Sequence, residues 1–132
     1  MTRRGLREQI FKLLFRIEFN TSEEMEEQLG LFFETSDEEF SEKDSEYVQK
    51  KYEDIIAHLE DIDKAINEKS IRWDTDRMGK VDLTIIRLGV YEILFDEDIP
   101  DGVAINEAVE LAKMFGQEES YSFVNGILAK FI

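Results

Sequence analysis

The chain has 132 residues, of which 42% are hydrophobic, and it contains no cysteine. This length supports one domain with a real core, while the missing cysteines exclude a disulfide framework and a thiolate metal site. No apolar run approaches the roughly 18 residues of a membrane span, and the N-terminus lacks the apolar core of a signal peptide. We therefore expect a single compact cytoplasmic domain, with no membrane partner.

The net charge of -15 is distributed unevenly along the chain. Residues 1–16 hold five basic and one acidic residue, whereas residues 17–68 hold four basic and eighteen acidic ones. A generally basic surface is the usual footprint of nucleic-acid binding, so the total argues against a broad phosphate-binding surface. Any nucleic-acid site must therefore be small, and the N-terminal end is the part with a favourable charge.

Residues 3–19 are predicted to form an amphipathic helix with a basic face. Its apolar positions repeat every three or four residues, at Leu6, Ile10, Leu13, Leu14 and Ile17. The basic face fits either an ordinary solvated surface or a phosphate-binding edge. Phe11 and Phe15 lie between the cations, where each ring belongs either to the core or to a base-stacking surface.

Further helices are predicted to complete an N-terminal half of about residues 1–70. Ser22 is expected to cap a helix at residues 23–33 that buries Met25, Leu29, Phe32 and Phe33, and an acidic loop follows. A longer helix at residues 44–59 is expected to break near Glu60 or Asp61. The side chains predicted to face inward here are Tyr47, Val48, Tyr52, Ile55, Ile56, Leu59, Ile62, Ala65, Ile66 and Ile71.

A central helix is predicted to begin the C-terminal half, which covers about residues 71–132. Residues 73–80 are rich in turn-formers, and Thr75 or Asp76 is expected to cap the helix that starts at Lys80. This helix is apolar on more than half of its circumference, so it should be buried. Gly89 indicates close packing against another element, and Arg87 requires either the surface or an anionic partner.

Two short helices are predicted between Val103 and the C-terminus, after a turn around Pro100. Gly116 is expected to end the first in a left-handed cap, and Ser120 to cap the second. Their apolar stripes are Ala104, Ala108, Val109, Leu111, Ala112 and Phe115, followed by Phe123, Val124, Ile127, Leu128 and Phe131. No strand pattern is convincing, so the fold class is all-α.

No motif in the chain carries catalysis or metal binding. His58 is the only histidine, which makes a histidine-pair metal site or a familiar triad improbable and favours a structural or solvent-facing role. The carboxylates lie on predicted exposed faces, and there is no phosphate-cradling glycine loop or nucleophile elbow. We expect no catalytic residue, no metal, no cofactor and no small-molecule substrate.

The chain resembles the NusB family of transcription antitermination factors over nearly its whole length. The resemblance is carried by Arg3, Arg4 and Arg7 leading into LLF at residues 13–15, by the segment from Trp73 to Val81, and by IIRLGVYEIL at residues 85–94. The most specific part is VAINEAVELAKMFG followed by SYSFVNGIL. The resemblance implies one NusB-like RNA/protein-binding domain at residues 1–132, with about seven helices in two small packed bundles and no enzymatic activity.

The resemblance also implies partners and site residues. The partners are single-stranded boxA RNA, the small-subunit ribosomal protein NusE, and the RNA polymerase antitermination complex that supports ribosomal RNA synthesis. The residues that match RNA-binding positions are Arg3, Arg4, Arg7, Lys12, Phe15, Arg87 and Phe123. The resemblance also makes Asp82 and Glu92, as acids toward the ends of the central helix, candidates for contact with the basic NusE surface.

Two departures from the family pattern bear on RNA affinity. Gly5 and Leu6 stand where a richer arginine run is typical, so we expect weak RNA binding without NusE. Phe15 stands where a tyrosine is common, which keeps a stacking ring and removes a hydroxyl group. The alternatives are an acidic protein-interaction module without RNA contact, or an accessory domain of a ribosomal RNA methyltransferase, for which the chain carries no catalytic domain.

Overall fold

The computed structural model describes residues 1–132 and contains seven α-helices and no strand. The helices are α1 (Arg3–Phe15), α2 (Ser22–Thr35), α3 (Glu42–Ala57), α4 (Leu59–Lys69), α5 (Lys80–Phe95), α6 (Asp101–Phe115) and α7 (Ser120–Leu128). Short 3₁₀ turns occupy Arg16–Glu18, Thr75–Arg77 and Ala129–Phe131. The predicted all-α class and the number of helices are confirmed.

The chain divides into two compact units, Met1–Ile56 and Ala57–Ile132. The boundary lies near residue 57 rather than near residue 70, because α4 contacts α5 and the following 3₁₀ turn. Helix α4 therefore belongs with the second unit, although its apolar spacing continues that of α3 in sequence.

In the first unit, local hydrogen bonds determine where α1 and α2 begin. The Thr2 hydroxyl accepts a hydrogen bond from the Gly5 backbone N–H at 3.0 Å and caps α1. Thr21, rather than the predicted Ser22, caps α2: its hydroxyl accepts from the Glu24 N–H, and the Glu24 carboxylate accepts from the Thr21 N–H. This reciprocal capping box uses the residue three positions after the cap, which fits Thr21 and not Ser22.

The core stripe of α3 is narrower than predicted. Val48, Tyr52 and Ile55 are buried at the spacing of one helix face, whereas Tyr47 and Ile56 beside that face are 41% and 36% exposed.

Other residues that were predicted to be buried are also partly or fully exposed. Leu29 and Phe33 of α2 are only half-buried. Ile71 is 91% exposed, because α4 ends at Lys69 and Ser70 is extended, so helical spacing no longer applies there. The predicted inward orientation of Tyr47, Ile56 and Ile71 is wrong.

The break between α3 and α4 lies at His58, two to three residues before the predicted position at Glu60 or Asp61. The imidazole packs on the Phe95 ring with centroids 4.1 Å apart and lies near Tyr91. A packing role for His58 agrees with the structural role that its isolation in the sequence predicted.

Helix α5 is central to the second unit, as predicted. It contacts α4, α6 and α7, and every residue from Leu83 to Glu92 except Arg87 is buried. A Cβ atom added to Gly89 would lie 2.7 Å from Leu128 Cδ1, so the glycine permits close contact between α5 and α7. The start of α5 has no side-chain cap: Asp74 caps the preceding 3₁₀ turn, and neither Thr75 nor Asp76 caps α5.

The corner between α6 and α7 is closely packed around Gly116. Gly116 has φ -90° and ψ -171°, which is extended, so the predicted left-handed conformation is wrong. A Cβ atom there would lie 2.5 Å from Ser120 Cβ and 2.7 Å from the Ala112 carbonyl oxygen. The buried Ser120 hydroxyl accepts a hydrogen bond from the Gln117 N–H at 2.9 Å, so Ser120 closes the corner and is the first residue of α7, not its cap.

Candidate functional site

The basic end of the first unit is the first turn of α1. Arg3 and Arg4 are exposed, Arg7 is half-buried, and no acidic residue lies in this turn. Arg3 and Arg7 are four residues apart and therefore share one side of the helix. Cations at a helix N-terminus oppose the helix dipole, so an anion that binds here is attracted both by the side chains and by the dipole.

The chain terminus beside these arginines is held by an ion pair. The Met1 ammonium group lies 3.2 Å from Asp44 Oδ2 on α3, and the Ser41 hydroxyl caps the same region by accepting from the Asp44 N–H. The hydrogen bond from the terminal ammonium lowers the pKa of Asp44 below its ordinary value, although partial burial opposes this change. The pair links Met1, two residues before α1, to α3 within the first unit.

Lys12 and Phe15 lie further along α1 in different surroundings. Lys12 is exposed and forms an ion pair with Glu8 one turn earlier, at 3.7 Å. Phe15 is half-buried and packs against Phe11 and against Phe19, whose ring centroid is 5.1 Å away. Phe11 is 3% exposed and belongs to the core, whereas Phe19 is 61% exposed. Phe15 thus offers part of a ring at the surface, supported by two other aromatic side chains.

The second unit holds an aromatic cavity around Phe123, which we call the Asp82 cavity. It has a volume of about 270 Å³ and is lined by Trp73, Arg77, Met78, Gly79, Asp82, Gln117, Glu119, Ser120 and Phe123. Trp73 and Phe123 meet edge to face with centroids 6.2 Å apart, and the Arg77 guanidinium lies 5.6 Å from the Trp73 ring centre. The segment before α5 and the first turn of α7 therefore bring two rings and a cation together.

The chemistry of the Asp82 cavity suits an unpaired base. Partly exposed rings supply stacking surfaces, while carboxylates and a guanidinium can hydrogen-bond the polar edges of a base. Asp82 was expected to face a protein partner, but the structure places it in the same cavity as Phe123. Two candidate residues that the resemblance assigned to different partners thus lie in one site.

Arg87 is held by an ion pair inside the second unit. Its Nε and Nη2 atoms each donate to one oxygen of Asp63 on α4, both at 2.8 Å, and the arginine side chain is only 11% exposed. This bidentate geometry is the strong form of an arginine–carboxylate pair. Arg87, as a cation in an apolar helix, was predicted to need either the surface or an anionic partner, and Asp63 is that partner. The structure therefore supports a role for Arg87 in linking α4 to α5 rather than in direct contact with RNA.

Glu92 is also unavailable at the surface. It lies on the buried part of α5 and is 5% exposed. A carboxylate this deeply buried cannot present its charge to a basic protein surface. The expectation that Glu92 contacts a partner is therefore not supported by its position.

Of the nine residues that line the Asp82 cavity, only Asp82 and Phe123 were predicted as site residues, and the unpredicted ones include Trp73 and Arg77. Trp73 is 45% exposed, and Arg77 lies on the 3₁₀ turn that Asp74 caps. The signal that could have identified them is the WDTDR segment itself. It places the only tryptophan of the chain and a cation within a turn, where a large ring is hard to bury.

The described chain contains no cluster of three histidine, aspartate or glutamate side chains that could hold a metal ion. None of its helices combines the length and the apolar character needed to cross a bilayer.

Comparison with known proteins identifies the family. A profile described as the NusB family matches residues 4–132. The transcription antitermination protein NusB of Agathobacter rectalis is 53% identical over 99% of both chains. Among solved structures, NusB of T. maritima is 37% identical with a TM-score of 0.86, covering 99% of this chain and 90% of that one.

A second solved structure contains the antitermination factors NusB and NusE in complex with dsRNA. Its matching chain is 29% identical to this one with a TM-score of 0.79, and the alignment covers 98% of this chain and 94% of that one. The match along residues 4–132 includes Arg4 and Arg7 of the basic turn and the whole lining of the Asp82 cavity. The chain therefore belongs to the NusB family of transcription antitermination proteins.

Proposed function

We propose that this protein is a non-enzymatic, cytoplasmic antitermination factor that binds boxA-type single-stranded RNA together with the ribosomal protein NusE. As part of the RNA polymerase antitermination complex, it supports read-through during ribosomal RNA synthesis. The whole chain acts as one RNA/protein-binding domain. The observation that carries the proposal is the family match over residues 4–132, together with the related NusB found with NusE and RNA.

The geometry supports two contributions to RNA binding. Arg3, Arg4, Arg7 and Lys12 supply positive charge on α1 in a chain whose net charge is -15. Phe15, Phe123 and the Trp73 ring supply stacking surfaces. Stacking on an aromatic side chain contributes about 1–3 kcal/mol per base, and unpaired bases are the ones whose faces are accessible.

NusE has a different role in this proposal. The chain contributes few cations, so its own attraction for RNA is limited by the surrounding acidic residues. A basic partner that covers part of the acidic surface removes that repulsion and adds its own phosphate contacts. The exposed acids of α2 and α3, and the partly exposed Asp82, are the groups available to such a partner.

The basic turn is tested by replacing Arg3, Arg4 and Arg7 with alanine. A matched control replaces three exposed lysines, Lys43, Lys50 and Lys64, and so lowers the net charge by the same amount. Binding of labelled boxA RNA is measured by fluorescence anisotropy at several salt concentrations, with NusE present. The arginine variant should lose affinity, and the slope of log K against log salt should become shallower by about 2.

The control variant should retain the wild-type slope. Equal salt slopes for the arginine variant and the wild type would show that this turn does not contact phosphates. Retained NusE binding with no RNA binding by the wild-type complex would instead favour an acidic protein-interaction module.

A further inference from the structure

A second cavity in the Ala57–Ile132 unit has no role in the proposed function so far. It has a volume of about 550 Å³, about twice that of the Asp82 cavity, and we call it the Lys130 groove. Its wall includes Ile71, Arg72, Trp73, Ser122, Phe123 and Lys130. The volume lies within the range of about 300–1,000 Å³ that is typical of ligand sites.

The charge of this groove is opposite to that of the protein. Two cations, Arg72 and Lys130, line it, and no acidic side chain does, in a chain with 31 acidic and 16 basic residues. The Asp82 cavity, by contrast, is lined by Arg77 together with two carboxylates. The Lys130 groove therefore attracts an anion, whereas a basic protein surface would be repelled there.

Lys130 is positioned by the backbone but keeps donors available. Its ammonium group donates a hydrogen bond to the Lys69 carbonyl oxygen, at the end of α4, at 3.3 Å. An ammonium group has three N–H donors, so this bond leaves two for a phosphate oxygen. Arg72 lies on the exposed segment after α4 and adds a guanidinium group to the same wall.

The apolar part of the groove is also exposed to an unusual degree. Ile71 is 91% exposed and Trp73 is 45% exposed. Trp73 and Phe123 line both cavities, so the pair forms a wall shared by the Asp82 cavity and the Lys130 groove. A single-stranded RNA with one base in the Asp82 cavity therefore needs only to cross the Trp73–Phe123 pair to place its next nucleotide in the Lys130 groove.

We propose that the Lys130 groove binds a flanking nucleotide of the same single-stranded RNA, with its base against the exposed apolar wall and its phosphate between Arg72 and Lys130. This inference rests on the proposed function, because it extends the RNA beyond the Asp82 cavity. It assigns the protein a longer RNA footprint than the boxA element alone.

The test uses the full chain with NusE and RNA probes that differ only in an added flanking segment. The probes are a labelled boxA oligonucleotide and the same oligonucleotide with three uridines added at either its 5′ or its 3′ end. The variant is Arg72→Ala with Lys130→Ala, since both residues line the Lys130 groove and neither lines the Asp82 cavity. The control is Lys43→Ala with Lys64→Ala, two exposed lysines outside both cavities.

One extended probe should bind the wild-type complex about tenfold more tightly than the boxA probe, as expected for one more stacked base with its phosphate. The Arg72/Lys130 variant should lose most of this gain while binding the boxA probe as the control does. The fluorescence of Trp73, the only tryptophan of the chain, should be quenched further by that extended probe, with Trp73→Phe giving the background signal.

The proposal is overturned if the ratio of affinities for extended and boxA probes is the same in the Arg72/Lys130 variant and in the control. It is also overturned if that variant weakens NusE binding in the absence of RNA while the gain from the added uridines persists, since the groove would then bind protein. Absence of any boxA binding by the wild-type complex would contradict the proposed function itself, which separates the two failures.

Discussion

The Arg87–Asp63 pair provides a direct test of whether Arg87 has a structural role. The two hydrogen bonds of 2.8 Å link α4 to α5, and the side chains are 11% and 27% exposed. A fully exposed pair contributes at most about 1 kcal/mol, and breaking a buried pair costs about 3–5 kcal/mol. This partly buried, bidentate pair should fall between the two, with a coupling free energy of about 2 kcal/mol.

The assay is a double-mutant cycle with Arg87→Ala, Asp63→Ala and the double variant, each unfolded with urea and followed by circular dichroism. Each single variant should lose about 3 kcal/mol of unfolding free energy and the double variant about 4 kcal/mol, because the second partner is already unpaired. The melting temperature of each single variant should fall by about 10 °C for a chain of this size. A coupling free energy below about 0.5 kcal/mol would show that the pair does not stabilise the contact between α4 and α5.

RNA binding by the same variants separates structure from recognition. If Arg87 acts only through Asp63, both single variants should weaken boxA binding to the same extent, within about twofold, under conditions in which both are folded. A much larger loss for Arg87→Ala than for Asp63→Ala would show that the guanidinium contacts RNA directly.

Three further substitutions test packing and electrostatics. Gly116→Ala should destabilise the protein by about 3 kcal/mol in urea unfolding, because its Cβ would meet the Ala112 carbonyl oxygen at 2.7 Å and Ser120 Cβ at 2.5 Å; a loss below 1 kcal/mol would contradict this. Gly89→Ala should lose only about 1 kcal/mol, since the clash with Leu128 is partly offset by better helix propensity, and a gain in stability would contradict it. Asp44→Asn should lower the melting temperature at neutral pH and not in strong acid. The pKa of Asp44 is lowered in the folded state, so its contribution is present above about pH 3.8 and disappears as the pH falls through the lower folded value. A constant difference between variant and wild type from pH 7 to pH 2 would contradict this assignment.

The sequence predicted the helices well because their apolar spacing is regular. The burial of α5 was predicted because the helix is apolar on more than half of its circumference. The close contact at Gly89 was predicted because a glycine inside a helix indicates close packing against another element. The helix starts were less predictable, because Thr21 and Ser22 are both good caps and only the position of Glu24 distinguishes them. Gly116 was placed correctly at a helix end, but its steric role depends on Ser120 folding back over it.

The candidate site was harder to predict than the fold. The charge pattern alone identified Arg3, Arg4 and Arg7, because they lie in the only basic part of the chain. Phe123 was identified from the family resemblance. The identity of the partner of Arg87 depends on the tertiary contact between α4 and α5, which sequence spacing does not reveal. The 45% exposure of Trp73 was not predicted, because this residue lies beyond the end of α4 at Lys69, where helical spacing no longer applies.

The most direct test of the central claim is a titration of labelled boxA RNA with the purified protein at about 50 and 200 mM salt, with and without NusE. We expect weak binding by the protein alone, markedly tighter binding with NusE, and a steeper salt dependence for the complex because it contacts more phosphates. Affinity for boxA that is unchanged by NusE, or absent from the complex at both salt concentrations, would contradict this expectation.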